Sequence, residues 1–217
     1  MAAGRGLPFV VSAPSGTGKT TVCRRLVERA PGLIFAVSHT TRPQRPGEQD
    51  GVDYHFVSEH AFRRLVEEGG FLEYAEYNGR LYGTSWAALE GALAAGRDVV
   101  LEIDIQGARQ VRERLAEARL IFLLPPSFEA LEARLRGRGT DAPAAIEQRL
   151  ALAGQELRAA RWFEYLIVNE ELEATVDAVL AVVRGVRNGR EQEVVRRFGR
   201  EQVLARLDPS LAARVSG

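Results

Sequence analysis

The chain is poor in residues that build several common kinds of site. Its 217 residues include one cysteine, Cys23, which excludes an internal disulfide or a cysteine metal cluster and favours a reducing compartment. The 29 basic and 29 acidic residues leave no net charge, so the basic surplus typical of nucleic-acid binders is lacking. No apolar run approaches the ~18 residues that a membrane span needs. The best candidate for a signal core, residues 7–13, is interrupted by Pro8. We therefore expect a cytoplasmic protein whose partners include neither nucleic acid nor a membrane.

Lysine is also nearly absent, and its single occurrence is informative. Of the 29 basic residues, 28 are arginine and one is Lys19. A general preference for arginine explains the 28 but not the exception. An ammonium group is preferred over a guanidinium where a compact point charge must fit into a narrow loop. Lys19 therefore indicates a specific site.

The segment around Lys19 has the pattern of a phosphate-binding loop. An apolar run, residues 9–11, leads into a glycine-containing loop, and apolar residues then recur at helical spacing until Pro31. The glycines allow backbone N–H groups to face phosphate oxygens, and the start of the helix adds its partial positive charge. Lys19 would reach the β- and γ-phosphates of a nucleotide, and the Thr20 hydroxyl would bind Mg²⁺. The predicted ATP-binding residues of this loop are Ala13, Pro14, Ser15, Gly16, Thr17, Gly18, Lys19, Thr20 and Thr21. The pattern prefers glycine at its first position, where this chain has Ala13.

Other apolar runs predict the architecture. The short runs 33–37, 99–105, 120–124 and 165–168 are rich in Val, Ile, Leu or Phe, and helical patterns separate most of them. This arrangement predicts an α/β fold of the P-loop NTPase type, with a central parallel sheet covered by helices on both faces. Ser127 and Asp141 are candidate helix N-caps.

The texture of the sequence also suggests a division into parts. Residues 38–96 mix Pro, Gly, Tyr and charges with short strands, which indicates an inserted lobe. The core would then consist of residues 1–37, 97–137 and 161–186. Residues 187–217 have weak apolar periodicity, so we expect a peripheral tail whose positive charge is a solvated face.

Motifs in the inserted lobe carry a resemblance to a known family. The segments 38–48 (SHTTRPQRPGE) and 51–56 (GVDYHF), together with the loop at Lys19, closely resemble guanylate kinase, which phosphorylates GMP with ATP. Further matching segments are 70–75, 81–84, 101–107, 134–140 and 167–169, so the resemblance covers roughly residues 7–186. It implies a P-loop fold with a GMP-binding lobe, residues 38–96, and a small lid, residues 138–160.

The resemblance also implies residues that bind GMP. Arg42 and Arg45 match arginines that hold the GMP phosphate, and planar guanidinium forks suit its several oxygens. The remaining matches are Tyr54 and Tyr82 on the same phosphate, Ser38 and Thr84 on the guanine O6/N7 edge, and Asp104 on the bound GMP.

Glu73 is the residue that predicts the base. Guanine presents N1–H and N2–H₂ on one edge, and a single carboxylate can accept from both. Adenine has an acceptor at N1 and no group at position 2, so the same carboxylate would be buried without partners. An unpaired buried polar group costs about 1–3 kcal/mol, and more when it is charged. Glu73 therefore favours GMP over AMP as the acceptor.

The remaining matches concern the metal and the transferred phosphoryl group. Glu102 matches a position where the family pattern has Asp, and the resemblance implies that it contacts Mg²⁺ through water. Arg138 and Arg149 match arginines near the lid, where they would join Lys19 and Arg42 in stabilising the charge of the transferred phosphoryl group. Two further matches belong to the ATP site, and these are Arg134 and Asn169, the latter near the adenine. No general base is required, because the acceptor phosphate is already ionised at neutral pH.

Three other classes of protein remain as alternatives. Another P-loop nucleoside monophosphate kinase, for adenylate or thymidylate, would share the loop at Lys19, but Ser38, Glu73 and Thr84 argue against it. A non-catalytic guanylate-kinase-like binding module typically lacks the intact phosphate loop, whereas Lys19 and Thr20 are present here. A P-loop GTPase would need an Asn-Lys-x-Asp motif to recognise guanine, and the sequence has none. The sequence does not decide between a monomer and a homo-oligomer.

Overall fold

Strands and helices alternate along most of the chain in the computed structural model. The structure describes residues 4–77, 79–137 and 143–216, with only the backbone of 143–145 and 216. The strands are β1 Pro8–Ser12, β2 Leu33–Phe35, β3 His39–Thr40, β4 His55–Phe56, β5 Phe71–Tyr77, β6 Arg80–Ser85, β7 Asp98–Glu102, β8 Arg119–Leu124 and β9 Tyr165–Val168. The α-helices are α1 Lys19–Arg29, α2 Glu59–Glu67, α3 Trp86–Ala94, α4 Ile105–Arg114, α5 Phe128–Arg136, α6 Pro143–Leu157, α7 Leu172–Arg187, α8 Glu191–Phe198, α9 Arg200–Leu204 and α10 Pro209–Ser216.

The central sheet confirms the predicted fold class. Its five strands are ordered β2-β7-β1-β8-β9, and the registers of β2 with β7 and of β8 with β9 are parallel. The apolar runs that predicted β7, β8 and β9 are mostly buried, as expected for a parallel sheet covered by helices, whereas only Leu33 is buried in the run 33–37. Helix α1 follows β1 as the periodicity predicts, and it buries Val22, Cys23 and Leu26. Ser127 caps α5 by accepting a hydrogen bond from Ala130 N–H, whereas Asp141 lies outside the described residues.

The predicted extent of the strand at 99–105 was wrong at its end. Strand β7 ends at Glu102, and Asp104 is the N-cap of α4. The Asp104 carboxylate accepts a hydrogen bond from Gly107 N–H at 2.8 Å, which satisfies one of the first amides of the helix. The chain therefore turns into a helix before Ile105, although Ile105 continues the apolar pattern of the strand.

A second sheet lies within residues 38–96. Its four strands are ordered β4-β3-β6-β5, and β6 pairs antiparallel with both β3 and β5. Phe62 and Phe71 stack on each other with ring centroids 4.4 Å apart, and both are buried. Of the residues that the sequence assigned to GMP, Glu73, Tyr82 and Thr84 lie on strands of this small sheet.

Two compact units can be distinguished along the chain. The first contains Met1–Val10 and Gly32–Ala118, and the second contains Val11–Pro31 and Arg119–Gly217. The second unit includes the C-terminal tail, which forms α8, α9 and α10. The buried apolar side chains of the tail are Val194, Phe198, Val203, Leu211 and Val215. The Tyr165 hydroxyl of β9 donates to Glu191 of α8 at 3.2 Å, so the tail packs against the last strand of the central sheet.

Among the described helices, none has the length and apolar character that crossing a bilayer requires.

Candidate active site

The phosphate loop connects β1 to α1 in the second unit, and its backbone is bent at two glycines. Gly16 has φ of 89° and Gly18 has φ of 95°, a region that side-chain-bearing residues rarely adopt. Thr17 N–H donates to the Pro14 carbonyl at 3.2 Å and closes the turn. Gly18 is the N-cap of α1, and Lys19 is the first residue of the helix. The sequence pattern thus places Lys19 and Thr20 at a helix N-terminus, where the partial positive charge favours an anion.

Space explains the same glycines. A Cβ atom on Gly16 would lie 2.7 Å from Leu135 Cδ2, and one on Gly18 would lie 3.2 Å from Asn169 Nδ2. The loop is therefore packed closely against α5 and the end of β9. Any side chain at either position would strain the backbone and displace these neighbours.

Arg134 and Asn169, both predicted to bind ATP, hold the backbone of the phosphate loop. Asn169 is 6% exposed, and its Nδ2 atom donates to the Thr17 carbonyl at 2.6 Å. Arg134 donates to the Thr17 carbonyl at 3.3 Å and to the Asn169 carbonyl at 2.9 Å. Whatever contact they make with a nucleotide, both residues fix the shape of the loop.

Helix α6, in the predicted lid segment, also contacts the phosphate loop. The Glu156 carboxylate accepts a hydrogen bond from Ser15 N–H at 2.9 Å. Arg149 lies on the same helix. Arg138, the other arginine predicted for the lid, lies outside the described residues.

Three predicted base-reading residues meet in the first unit. Glu73 on β5 is 4% exposed, and its Oε1 atom accepts a hydrogen bond from Thr84 N–H on β6 at 2.8 Å. The hydroxyls of Ser38 and Thr84 are 3.1 Å apart and share a hydrogen bond. The register that pairs Glu73 with Thr84 therefore brings a buried carboxylate and a buried hydroxyl together, and the half-buried Ser38 adds a second hydroxyl.

A second cluster contains three of the predicted phosphate-binding residues. The Arg42 guanidinium lies 5.4 Å from the centre of the Tyr54 ring, and the rings of Tyr54 and Tyr82 are 6.1 Å apart. Burial raises the pKa of the Tyr54 hydroxyl, with smaller effects from Glu102 and Tyr82, so this hydroxyl remains protonated and able to donate. Tyr82 and Thr84 are two positions apart on β6, so their side chains leave the sheet on the same face.

Glu48 was missed by the sequence reasoning, which quoted it in a motif without giving it a role. Its carboxylate forms an ion pair with Arg42 at 2.8 Å and accepts a hydrogen bond from the Arg45 backbone N–H at 2.8 Å. The hydrogen bond with Glu48 raises the pKa of Arg42, and the bonds with Arg42 and Arg45 lower that of Glu48. An acid three residues after the second of two arginines was the available signal. Arg45 itself is exposed.

The two predicted acids after β7 have different surroundings. Asp104 is committed to capping α4 through one carboxylate oxygen, whereas Glu102 is half-buried at the end of β7. Mg²⁺ is bound by oxygen ligands, and the Thr20 hydroxyl and the Glu102 carboxylate supply oxygens of this kind. Mg²⁺ in kinases needs only one or two such protein ligands, because substrate phosphates and water supply the others. The chemistry of these two residues fits the metal.

A parallel α/β sheet with a glycine-containing phosphate loop ahead of the first helix is typical of the P-loop nucleotide-binding proteins. The guanylate kinase family model matches residues 5–185. A guanylate kinase of Thermus thermophilus is 48% identical over 217 residues, which cover 98% of each chain. One from Neisseria gonorrhoeae is 48% identical and covers 88% of this chain and 93% of that relative. The crystal structure of guanylate kinase from Anaplasma phagocytophilum superposes with a TM-score of 0.68 at 33% identity, covering 88% of this chain and 94% of that one. The chain belongs to the guanylate kinase family.

Proposed function

We propose that this protein is a guanylate kinase, which transfers the γ-phosphoryl group of ATP to GMP and forms ADP and GDP. The cluster of Ser38, Glu73 and Thr84 is the observation that supports GMP as the phosphoryl acceptor. A carboxylate has lone pairs for about four hydrogen bonds, so a single carboxylate can accept from Thr84 N–H and from both N1–H and N2–H₂ of guanine. Membership of the family supports the same choice over other nucleoside monophosphate kinases.

The roles of the clusters follow from their chemistry. Ser38, Glu73 and Thr84 bind the guanine, while Arg42, Tyr54 and Tyr82 bind the GMP phosphate, with Arg45 closing on it from its exposed loop. Arginine and protonated tyrosine are donors, which suits an acceptor group made of phosphate oxygens. Asp104, the N-cap residue of α4, contacts the bound GMP.

ATP, the phosphoryl donor, binds at the phosphate loop. Backbone N–H groups within the loop of residues 13–21 and the Lys19 ammonium bind the phosphates of ATP, and Arg134 and Asn169 complete that site. Thr20 would hold Mg²⁺ as a ligand and Glu102 would contact it through water, and the ion would supply positive charge that neutralises the phosphates. Lys19, Arg42, Arg138 and Arg149 stabilise the charge that accumulates on the transferred group. The lobe of residues 38–96 and the lid of residues 138–160 close over the substrates and exclude water.

One assay tests the proposal. ADP formation from ATP and Mg²⁺ is followed in a coupled reaction with GMP, AMP, dTMP or UMP as the acceptor. We expect kcat/KM for GMP to exceed that for each of the others by at least about 100-fold. With another base, Glu73 would lose a charge-assisted hydrogen bond and would keep a buried carboxylate without that partner. Equal turnover of AMP or dTMP would contradict the choice of acceptor. Binding of GMP in calorimetry without any turnover would indicate a binding module instead.

The proposed function also implies the substrates, the cofactor and the location of the protein. ATP and GMP are the small-molecule partners, and Mg²⁺ is the cofactor. We place the protein in the cytoplasm, where these nucleotides occur.

A further inference from the structure

The side-chain amide of Asn169 links the phosphate loop to helix α7. On one side, Nδ2 donates to the Thr17 carbonyl at 2.6 Å. On the other side, Oδ1 lies 2.9 Å from the hydroxyl of Thr175, a residue that no motif of the sequence indicated. Asn169 and Thr175 are 6% and 2% exposed, so this link is shielded from water.

The direction of each hydrogen bond is determined by the groups involved. The Thr17 carbonyl can only accept, so the NH₂ group of Asn169 must face it and the amide oxygen must face Thr175. The single hydroxyl hydrogen of Thr175 has a second possible acceptor, the Glu171 carbonyl at 2.7 Å. That carbonyl already accepts the Thr175 backbone N–H at 2.9 Å. Donation to Asn169 therefore makes the better use of the hydroxyl hydrogen, and it fixes the orientation of the amide.

This orientation also determines where a backbone amide of the loop points. In a trans peptide, the C=O of one residue and the N–H of the next point in opposite directions. Because Asn169 and Arg134 hold the Thr17 carbonyl on their side, the Gly18 N–H is directed to the opposite side of that peptide. A peptide flipped the other way would present a carbonyl where the loop needs a donor, and the partial negative charge would repel a phosphate.

We propose that Thr175 is a positioning residue of the donor site. Its hydroxyl holds the Asn169 amide, which holds the Thr17–Gly18 peptide so that the Gly18 N–H faces the phosphates of ATP. Asn169 thereby serves the phosphates rather than recognising the adenine. The inference rests on the proposed function, because it assumes that the loop binds ATP.

Two variants of Thr175 test the link. Thr175→Val keeps the branched shape but removes the hydroxyl, and Thr175→Ser is the matched control that keeps the hydroxyl and loses a methyl group. For Thr175→Val we expect the affinity for ADP in calorimetry and the kcat/KM for ATP to fall about 5- to 30-fold, the usual range for one buried hydrogen bond. The KM for GMP should stay within about twofold, and Thr175→Ser should behave like the unmodified protein.

The same measurements separate positioning from loss of folded protein. Partial unfolding lowers the apparent kcat and leaves both KM values unchanged, whereas a displaced phosphate loop raises the KM for ATP alone. Thermal unfolding of both variants gives the temperature range in which each is folded. Equal ADP affinities of the Val and Ser variants would overturn the inference.

A third variant asks what Asn169 recognises. With Asn169→Ala, we expect kcat/KM to fall by similar factors for ATP and GTP as phosphoryl donors, because both carry the same phosphates. A change of more than about fivefold in the ATP:GTP ratio would instead show that Asn169 reads the base, and would overturn the proposal. Failure of the proposed function is seen separately, as absence of GMP-dependent ADP formation by the unmodified protein, while ADP affinity still tests the role of Thr175.

Discussion

The carboxylate of Glu73 accepts a hydrogen bond from the backbone N–H of Thr84 at 2.8 Å, across the antiparallel pair of β5 and β6. One oxygen of a buried acid is thus oriented by the sheet itself. The Thr84 side chain shares a hydrogen bond with Ser38, so the same short stretch of β6 positions both the acid and the hydroxyls. The base recognition that we propose therefore depends on a backbone contact that no side-chain motif encodes.

A Glu73→Gln substitution should weaken the preference for guanine. The amide oxygen would take the bond from Thr84 N–H, which leaves the NH₂ group at the position of Oε2. That donor would face guanine donors, whereas N1 of adenine could accept from it. We expect the ratio of kcat/KM for GMP to that for AMP to shrink about 10- to 100-fold, on the scale of ~1.4 kcal/mol per decade. Equal losses for both acceptors would show that Glu73 supports the lobe without recognising the base.

Gly107→Ala should disturb the same carboxylate from the side of α4. A Cβ atom there would lie 2.5 Å from Glu73 Oε2, closer than two such atoms can approach, so the carboxylate must move. We expect the KM for GMP to rise about 10-fold, on the scale of one lost hydrogen bond to a charged group. In a protein that already carries Glu73→Ala, the same substitution should change the KM for GMP less than about twofold, because the displaced group is gone.

Gly91→Ala is the matched control for Gly107→Ala. Gly91 lies in helix α3, and a Cβ atom there would meet nothing within 4 Å. The substitution should leave both KM values unchanged and raise the free energy of unfolding by up to about 1 kcal/mol, the difference in helix propensity. A similar rise in the KM for GMP in both variants would mean that the effect of Gly107→Ala does not pass through Glu73.

Lys19→Ala should remove most of the turnover. Lys19 is the first residue of α1, directly after Gly18. Loss of a main charge stabiliser of a transition state typically lowers kcat about 100- to 1,000-fold. Calorimetric affinity for GMP should change much less, because the GMP-binding residues belong to the other unit. Arg24→Ala, at an exposed position of the same helix, is the control and should keep normal turnover.

The sequence predicted those features that depend on contiguous residues. The phosphate loop, the helix from Lys19 and the cap at Ser127 are local patterns, and the structure has each of them. The end of β7 could not be predicted, because Ile105 fits a buried strand as well as a helix, and the cap at Asp104 decides between them. Thr175 could not be found either. Its importance comes from a hydrogen bond to a residue on another element, and a single threonine in an amphipathic helix gives no sign of that contact.

The stability of the first unit should fall at mildly acidic pH because of His39. Its Nδ1 atom is buried and has no hydrogen-bond partner within the described residues. Burial, with a smaller effect of His55, lowers the pKa of His39, while Asp50 opposes the shift. The unfolded chain therefore binds a proton at a higher pH than the folded protein does. The stability is present above about pH 6.5, the ordinary value, and is lost as the pH falls below it.

Urea unfolding between pH 7.5 and 5.0 measures this effect. His39→Gln, which cannot titrate, should lose less stability on acidification than the unmodified protein. His60→Gln, at an exposed position of α2, is the control and should follow the unmodified protein. Parallel pH profiles for all three proteins would show that His39 does not control the acid response.

Glu48→Ala should weaken the binding of GMP without changing the binding of ATP. The Arg42–Glu48 pair is mostly buried, with side-chain exposures of 12% and 18%, and Glu48 also accepts from the Arg45 N–H. Removing the carboxylate leaves the Arg42 guanidinium without the partner that orients it and loosens the loop that carries Arg45. Because the carboxylate orients the guanidinium that binds the GMP phosphate, we expect the KM for GMP to rise by about 10-fold. The KM for ATP should stay within about twofold.

The control for Glu48→Ala is an ion pair of the same type on the surface. Glu59 pairs with Arg63 on α2 at 2.6 Å, but both side chains are 63% exposed. Exposed pairs contribute only about 0–1 kcal/mol, because water and salt screen them, so Glu59→Ala should leave the KM for GMP unchanged. A lower KM for GMP in Glu48→Ala would mean that Glu48 competes with GMP for Arg42, since the arginine would then bind phosphate better without its partner. An unchanged KM would contradict the proposed role of Glu48 in orienting Arg42. The sign of the change in KM therefore decides whether the ion pair prepares Arg42 for GMP or competes with GMP for it.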